Sequence, residues 1–112
     1  DALLGAISEL VDNATKYGEP NAGVDIVVRR AGASAEVAVL DRGAGVPAAE
    51  RERIFEPFHR LGDELVRERP GVGLGLALVR GVALAHSGSV RCEPREGGGS
   101  CFVLQIPLET RA

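Results

Sequence analysis

The sequence predicts an α+β sandwich in which helices pack on one face of a mixed, mostly antiparallel β-sheet. Two observations lead to this fold class. Apolar residues recur at helical spacing in two long segments, and they alternate with polar residues in shorter segments that come in pairs. The predicted chain order is helix, two strands, two helices and two strands. With 112 residues the chain has material for one hydrophobic core, so we expect one domain over residues 1–112.

The first helix is predicted over residues 3–17. Apolar residues occur there about one helical turn apart, at Leu3, Ile7, Leu10 and Ala14. The segment that follows has a glycine and then a proline, which is typical of a helix that ends in a glycine cap.

Two β-hairpins account for most of the remaining chain. Each has two runs rich in β-branched and apolar residues, separated by a turn that contains glycine. The predicted strands are residues 24–30 and 36–41 in the first hairpin, and residues 90–93 and 101–108 in the second.

The segment between the hairpins is predicted to contain two helices and a loop. Pro47 suits a first helical turn and begins a short helix over residues 47–54. Residues 59–70 are highly charged and show little periodicity, so we expect a mobile loop there. A second long helix is predicted over residues 75–86. Its apolar stripe consists of Leu76, Val79, Ala83 and His86.

The composition excludes several classes of partner. A formal charge of −3 and a pI near 5.4 argue against nucleic acid, which needs a basic surface. The sequence has no apolar run long enough to cross a membrane and no visible signal peptide. It also begins at Asp1 without a methionine. We therefore expect a cytoplasmic piece of a larger protein, with any membrane attachment in the rest of that protein.

The two cysteines are expected to be unpaired thiols. Alternation in the last hairpin directs Cys92 to the core together with Phe102, so Cys101 points to the opposite face. This argues against a disulfide and is typical of a reducing compartment. Neither cysteine belongs to a metal-ligand pattern.

Alternating glycines precede the second long helix, at Gly71, Gly73 and Gly75. Without Cβ atoms, the backbone N–H groups can crowd an anion at a helix N-terminus, where the macrodipole favours negative charge. A dinucleotide fingerprint needs a sixth-position glycine, but Leu76 occupies that place, and no Gly-Lys-Ser/Thr phosphate loop occurs. The alternative is a tight turn that needs glycine for geometry alone.

A polar stripe runs along the first helix at Glu9, Asn13 and Lys16. A carboxylate and an amide oxygen one turn apart can supply hard oxygen ligands to Mg²⁺, and a lysine one turn further can meet a phosphate. The alternative is an ordinary exposed helix face with a favourable Glu-Lys pattern.

A second candidate site follows the predicted strand at residues 36–41. Asp41 is followed by Gly43 and Gly45, which make the turn flexible. A buried carboxylate there accepts a hydrogen bond from an exocyclic amine, which adenine offers and guanine at the matching position does not. Aspartate and glycine also form plain turns, so this alternative stays open.

Together these motifs resemble the ATP-binding catalytic domain of sensor histidine kinases, in the superfamily that gyrase, a heat-shock chaperone and a mismatch-repair ATPase share. The resemblance covers nearly the whole chain, and the motifs come in the family order. The matching segments are residues 10–17 (N box), 41–45 (first glycine box), 54–60 (F box), 71–76 (second glycine box) and 97–102 (closing glycine motif).

The resemblance implies a Bergerat-type fold whose first strand precedes the first helix and is missing from this sequence. Phe55 and Phe58 would anchor an ATP lid over residues 59–70. Asn13 and Glu9 are implied as catalytic residues and as Mg²⁺ ligands. Arg60 in the lid can stabilise charge on the γ-phosphate as a positioned guanidinium, and the alternative is a solvent-facing arginine. The residues implied to bind ATP are Asn13, Lys16, Tyr17, Asp41, Gly43, Gly45, Arg60, Gly71, Gly73, Leu74, Gly75, Leu76 and Ser100.

The implied activity is transfer of the γ-phosphoryl group of Mg²⁺-ATP to a histidine of a separate dimerisation domain in a two-component kinase, which then serves a response regulator. Neither His59 nor His86 lies in a segment similar to the family's phosphoacceptor helix, so the acceptor histidine is expected elsewhere. Glu9 departs from the asparagine of many sensor kinases. It resembles the base of ATP hydrolases and anti-sigma-factor serine kinases, and this alternative stays open. A nucleotide-sensing module without turnover is the remaining alternative.

Overall fold

The computed structural model describes residues 1–19, 21–57 and 75–108. It confirms the predicted α+β class. Two short 3₁₀ turns, Ala48–Glu50 and Arg53–Phe55, lie between the second strand and the second helix. The regular elements are helices α1 (Ala2–Tyr17) and α2 (Gly75–Ala85) and strands β1 (Asp25–Ala31), β2 (Ser34–Leu40), β3 (Ser89–Pro94) and β4 (Ser100–Pro107).

The four described strands form one sheet in the order β1-β2-β4-β3, and all three pairings between them are antiparallel. The register places Val39 of β2 opposite Phe102 of β4, and Phe102 opposite Cys92 of β3. Since side chains alternate along a strand, these apolar residues all lie on one face of the sheet. The register therefore builds the apolar face that the sequence pattern predicts.

The core lies between this face and the two helices. Helix α1 buries Ala6, Leu10 and Ala14, which are spaced one turn apart. Helix α2 contributes Val79 and Ala83, both fully buried, to the same core. These contacts fix α1 and α2 against the sheet and so determine where their polar residues lie.

The second 3₁₀ turn completes the core with an aromatic contact. Phe55 is buried and meets Phe102 edge to face, with ring centroids 6.2 Å apart and an interplanar angle of 77°. The sequence predicts one short helix over residues 47–54, but the structure has two separate turns with i to i+3 hydrogen bonds. So short a segment gains too few hydrogen bonds to nucleate an α-helix.

Gly18 ends α1 at the predicted place but not in the predicted way. Its backbone is extended (φ −82°, ψ 177°) and not left-handed, so conformational freedom is not the reason for glycine. A Cβ there would lie 2.7 Å from the Ala14 carbonyl oxygen and 3.3 Å from Cβ of Asp41. Glycine is needed chiefly because a Cβ would collide with the last turn of α1 itself, and the approach of Asp41 adds a second, looser contact.

The cysteine prediction is confirmed within the described residues, where both thiols are free. Cys92 is buried on the helix-covered face, whereas Cys101 lies opposite Glu93 on the other face. Burial raises the pKa of Cys92 to about 11, so the thiol is protonated at neutral pH. His86 is exposed, in contrast to its predicted place on the apolar stripe, and its Nδ1 lies 2.9 Å from the Val82 carbonyl oxygen.

Neither described helix is both long and apolar enough to cross a membrane.

Candidate functional site

Asp41 is a buried carboxylate, 5% exposed, immediately after β2. Its Oδ1 accepts a hydrogen bond from the backbone N–H of Gly43 at 2.9 Å and from that of Ser100 at 3.2 Å. Its own backbone N–H donates to the Ser100 carbonyl at 2.9 Å. Among the described residues these donors use Oδ1, so Oδ2 is the oxygen that an incoming donor would meet. The carboxylate is thus held in one orientation before any ligand arrives.

The backbone around Asp41 is packed so closely that side chains are excluded. Gly99 has φ +105°, and a Cβ there would lie 2.1 Å from the Asp41 carbonyl oxygen. Gly45 has φ +85°, and its Cβ would lie 3.3 Å from the Gly99 carbonyl oxygen. The glycine-rich turn after β2 and the glycine loop before β4 therefore meet at the carboxylate.

Glu9 and Asn13 lie one turn apart on α1, and both are partly exposed. Neither side chain has a hydrogen-bond partner in the described part of the chain. A Cβ on Gly75 would lie 2.4 Å from Oε2 of Glu9, so this carboxylate lies beside the first residue of α2. The Glu9 carboxylate and a helix N-terminus are thus neighbours, with Asn13 one turn further along α1, which is a suitable place for a cation and a phosphate.

The other predicted residues in the described part of the chain lie either on the helices α1 and α2 or beside Asp41. Lys16 is exposed in the last turn of α1, and Tyr17 is the last residue of that helix. Leu76 is partly buried in the first turn of α2. Ser100 is 2% exposed and belongs to the Asp41 group through its backbone N–H and C=O.

Several predictions lie outside the described residues. The predicted lid over residues 59–70, its anchor Phe58 and part of the second glycine box therefore stay predictions. The predicted binding residues concerned are Arg60, Gly71, Gly73 and Leu74.

The described residues include no cluster of three or more His, Cys, Asp or Glu side chains that could hold a metal ion. The oxygens of Glu9 and Asn13 are a sparse donor set. Mg²⁺ suits such a set, because it usually keeps several waters and takes only one or two protein ligands together with phosphate oxygens.

Sequence reasoning missed two residues at this site. Arg95 reaches the Asp41 carbonyl from the loop after β3, with Nη1 3.3 Å from the oxygen. Gly18 packs against the Asp41 side chain from the end of α1. A glycine where α1 ends was visible in the sequence, but no local pattern indicates what either residue contacts.

Comparison with known proteins assigns this arrangement to a family. The model of the histidine kinase-, DNA gyrase B- and HSP90-like ATPases matches residues 1–110. The chain belongs to this ATPase family. The described fold is accordingly the catalytic ATPase fold of histidine kinases, which confirms the resemblance seen in the motifs.

Relatives of this ATPase domain are sensor histidine kinases. It is 44% identical over 105 residues to the sensor-like histidine kinase SenX3 of Mycolicibacterium smegmatis, and the match covers 94% of this chain but 27% of SenX3. The sensor protein CutS of Streptomyces coelicolor is 40% identical over 100 residues, which cover 88% of this chain and 24% of CutS. The chain thus spans about a quarter of the length of these relatives.

Solved structures of sensor histidine kinases have the same fold as this chain. The mycobacterial sensor histidine kinase MprB superposes with a TM-score of 0.82 at 32% identity, covering 95% of this chain and 70% of that structure. Full-length ShkA, crystallised in complex with AMPPNP, gives a TM-score of 0.82 at 31% identity, covering 99% of this chain and 22% of ShkA.

Proposed function

We propose that this domain binds Mg²⁺-ATP and donates the γ-phosphoryl group to a histidine on a separate dimerisation domain of a two-component sensor kinase. The observation that carries the proposal is the buried Asp41 carboxylate. Its Oδ1 is fixed by two backbone N–H groups, while no residue in the described part of the chain donates to Oδ2, which the proposal gives to the ligand. The similarity to ShkA, whose crystal structure contains an ATP analogue, supports the same choice of ligand.

Asp41 selects the base in this proposal. An ionised carboxylate only accepts hydrogen bonds, so Oδ2 pairs with the 6-amino group of adenine and meets a carbonyl oxygen at the same position of guanine. In this proposal the turn at Gly43 and Gly45 passes close to the base, and Ser100 keeps the carboxylate oriented through its backbone N–H.

The polar stripe of α1 holds the phosphate end. Asn13, assisted by Glu9, supplies oxygen ligands to Mg²⁺, and Lys16 contacts a phosphate. The metal ion would neutralise charge on the phosphate oxygens. Tyr17 at the end of α1 lies along the nucleotide in this proposal.

The start of α2 faces the phosphates. Gly75 and Leu76 present backbone N–H groups at a helix N-terminus, where the macrodipole favours an anion. We propose that the rest of the second glycine box (Gly71, Gly73 and Leu74) and Arg60 complete the contacts to the triphosphate. Transfer then depends on positioning and electrostatics more than on covalent chemistry by the domain.

The acceptor histidine and the response regulator belong to partners outside this chain. His86 is exposed but lies beyond the end of α2, and its Nδ1 lies 2.9 Å from the Val82 carbonyl oxygen. We therefore expect the 112-residue chain to bind nucleotide without phosphorylating itself.

Calorimetric titration tests the binding step. The chain should bind AMPPNP in the presence of Mg²⁺ and discriminate against the matching guanine nucleotide. Asp41→Asn should weaken AMPPNP binding by about tenfold or more, because an amide can present a donor to the amine. Asp12→Asn, an exposed acid on α1, is the matched control and should bind as the wild type does. Equal affinity for both nucleotides would contradict the proposed base recognition.

The transfer step needs the full-length kinase. Radiolabel from the γ-phosphate of ATP should appear on its dimerisation domain and should be lost in Asn13→Ala. Label on His59 or His86 of the isolated chain would overturn the proposal. Tight ATP binding by a full-length kinase that never transfers phosphate would instead favour a nucleotide-sensing module.

A second candidate function is supported by the position of Glu9. Its carboxylate has no hydrogen-bond partner among the described residues and lies beside the start of α2, where it can act as a base toward water or a serine hydroxyl. An ATP hydrolase of this kind would release phosphate steadily as the isolated chain. Glu9→Gln, which keeps the shape but not the basicity, would then abolish the release.

A further inference from the structure

Arg95 is a largely buried arginine in the loop between β3 and β4. Only 13% of its side chain is exposed, although arginine usually lies at the surface. Its backbone N–H donates to the Gly99 carbonyl at 3.1 Å, and its carbonyl accepts from the Gly98 N–H at 3.0 Å. These bonds fix the loop so that the side chain extends over the sheet end next to Asp41.

The guanidinium of Arg95 joins two other strands. Nη2 lies 2.5 Å from Oδ2 of Asp25 at the start of β1, and Nη1 donates to the Asp41 carbonyl at 3.3 Å. Arg42 approaches the same Asp25 oxygen at 3.2 Å but is half exposed. The planar Arg95 guanidinium therefore connects the loop after β3 to the end of β2 and to the start of β1.

This contact adds a restraint on the Asp41 backbone to the hydrogen bonds that orient its side chain. Gly43 and Ser100 fix Oδ1, but the direction of Oδ2 also depends on the peptide to which the side chain is attached. Because Arg95 holds the carbonyl of that peptide, it limits rotation of the backbone at Asp41. Hydrogen bonds weaken steeply when the donor angle departs from linearity, so a small rotation would matter to a ligand.

We propose that Arg95, held by Asp25, is a positioning residue that sets the preference of this site for a base with a 6-amino group. The inference rests on the proposed role of Asp41. Arg95 itself does not touch the base. It acts by keeping Asp41 Oδ2 in the orientation that accepts the amine.

A pair of ligands separates this role from a general structural one. ATP and the triphosphate of purine riboside differ only in the 6-amino group. Arg95→Ala in the 112-residue chain should weaken ATP binding by about three- to tenfold and leave the affinity for the purine analogue within about twofold. Asp25→Asn should also weaken binding of ATP more than binding of the purine analogue. Arg95→Lys keeps the positive charge but loses the fork, and should give an intermediate loss if the alanine variant is poorly folded.

Arg91→Ala is the matched control, because Arg91 is also paired on the sheet, with Glu36 and Glu93, and is not in contact with Asp41. It should leave the ratio of the two affinities unchanged. Equal weakening of both ligands by Arg95→Ala and Arg95→Lys, or no weakening of either, would overturn the inference.

Asp41→Asn distinguishes this failure from failure of the proposed function. If that variant loses the preference for ATP while the Arg95 variants keep it, only the role of Arg95 is wrong. If Asp41→Asn also keeps the preference, the proposed recognition of adenine and the role of Arg95 are both wrong.

Discussion

The carboxylate of Glu9 occupies the space that a β-carbon on Gly75 would need, since such an atom would lie 2.4 Å from Oε2. Residues 66 positions apart in the sequence therefore meet at the start of α2. The helix can begin beside the carboxylate because its first residue has no side chain.

Gly75→Ala should displace the Glu9 carboxylate while the fold stays intact. The obstructing atom is the end of a flexible side chain, so it can move aside without a shift of the backbone. Phosphoryl transfer by the full-length kinase should fall by up to about 100-fold, the effect of a misplaced group. The transfer rate and the unfolding temperature measure the two effects.

The control for this variant is Gly81→Ala, also in α2, where a Cβ would meet nothing within 4 Å. Because Gly81 lies inside the helix, alanine there should stabilise the fold by about 0.5–1 kcal/mol without a change in transfer rate. Similar transfer rates in both variants would show that the position of Glu9 is unimportant.

Gly99→Ala should be strongly destabilising, because its Cβ would lie 2.1 Å from the Asp41 carbonyl oxygen. Gly98→Ala is an informative comparison. Gly98 has a similar φ of +112°, but a Cβ there would have open space around it. Both variants suffer backbone strain, so their difference in the free energy of unfolding, expected to be about 1–3 kcal/mol, isolates the contact with Asp41. Equal urea midpoints would contradict the close packing described above.

Two leucines of α1 test how the core is built. Leu10 is fully buried, whereas Leu4 is 66% exposed. Leu10→Ala should lower the free energy of unfolding by about 2–5 kcal/mol. Leu4→Ala should change it by less than about 0.5 kcal/mol. Chemical denaturation measures both, and a large loss in Leu4→Ala would mean that Leu4 is covered in solution.

Glu36 should make the fold sensitive to acid. A hydrogen bond from Arg29, whose guanidinium lies 2.9 Å from Oε1, lowers the pKa of Glu36 although desolvation acts in the opposite direction. The folded-state pKa is below the unfolded one, so the ionised carboxylate stabilises the fold. This contribution is complete above the unfolded pKa of about 4.3 and is lost as the pH falls through the folded value.

The measurement is the free energy of unfolding between about pH 6 and pH 3. Wild-type stability should decline toward low pH, and Glu36→Gln should decline less steeply. Identical slopes for the two proteins would contradict the contribution of Glu36.

The features of the fold and of the site that depend on periodicity and local motifs could be predicted from the sequence. The spacing of Leu10 and Ala14 located α1, and alternation around Cys92 and Phe102 gave the faces of the second hairpin correctly. Asp41 at the end of a strand was predicted to select the base on condition that it is buried, and the structure shows that it is buried. Each of these features is encoded within a few neighbouring residues.

Features that depend on packing between distant segments could not be predicted. Gly18 was expected as a glycine cap of α1, whereas its backbone is extended and a Cβ there would meet the Ala14 carbonyl oxygen first and Asp41 second. The contact between Arg95 and Asp25 spans 70 residues and has no local pattern. The segment predicted as a helix is too short to nucleate one, and the contact of its Phe55 with the distant Phe102 could not be read from local spacing.

The hydrogen bond from Ser100 to Asp41 also has a consequence for biosynthesis. The two residues are 59 positions apart, and Ser100 is the first residue of the last described strand. A ribosome therefore completes α1, β1 and β2 well before it has made the donor that orients the Asp41 carboxylate. During translation the nascent chain should gain affinity for adenine nucleotides only after β4 has left the exit tunnel and paired with β2, so ligand present in the cell would favour completed chains over unfinished ones.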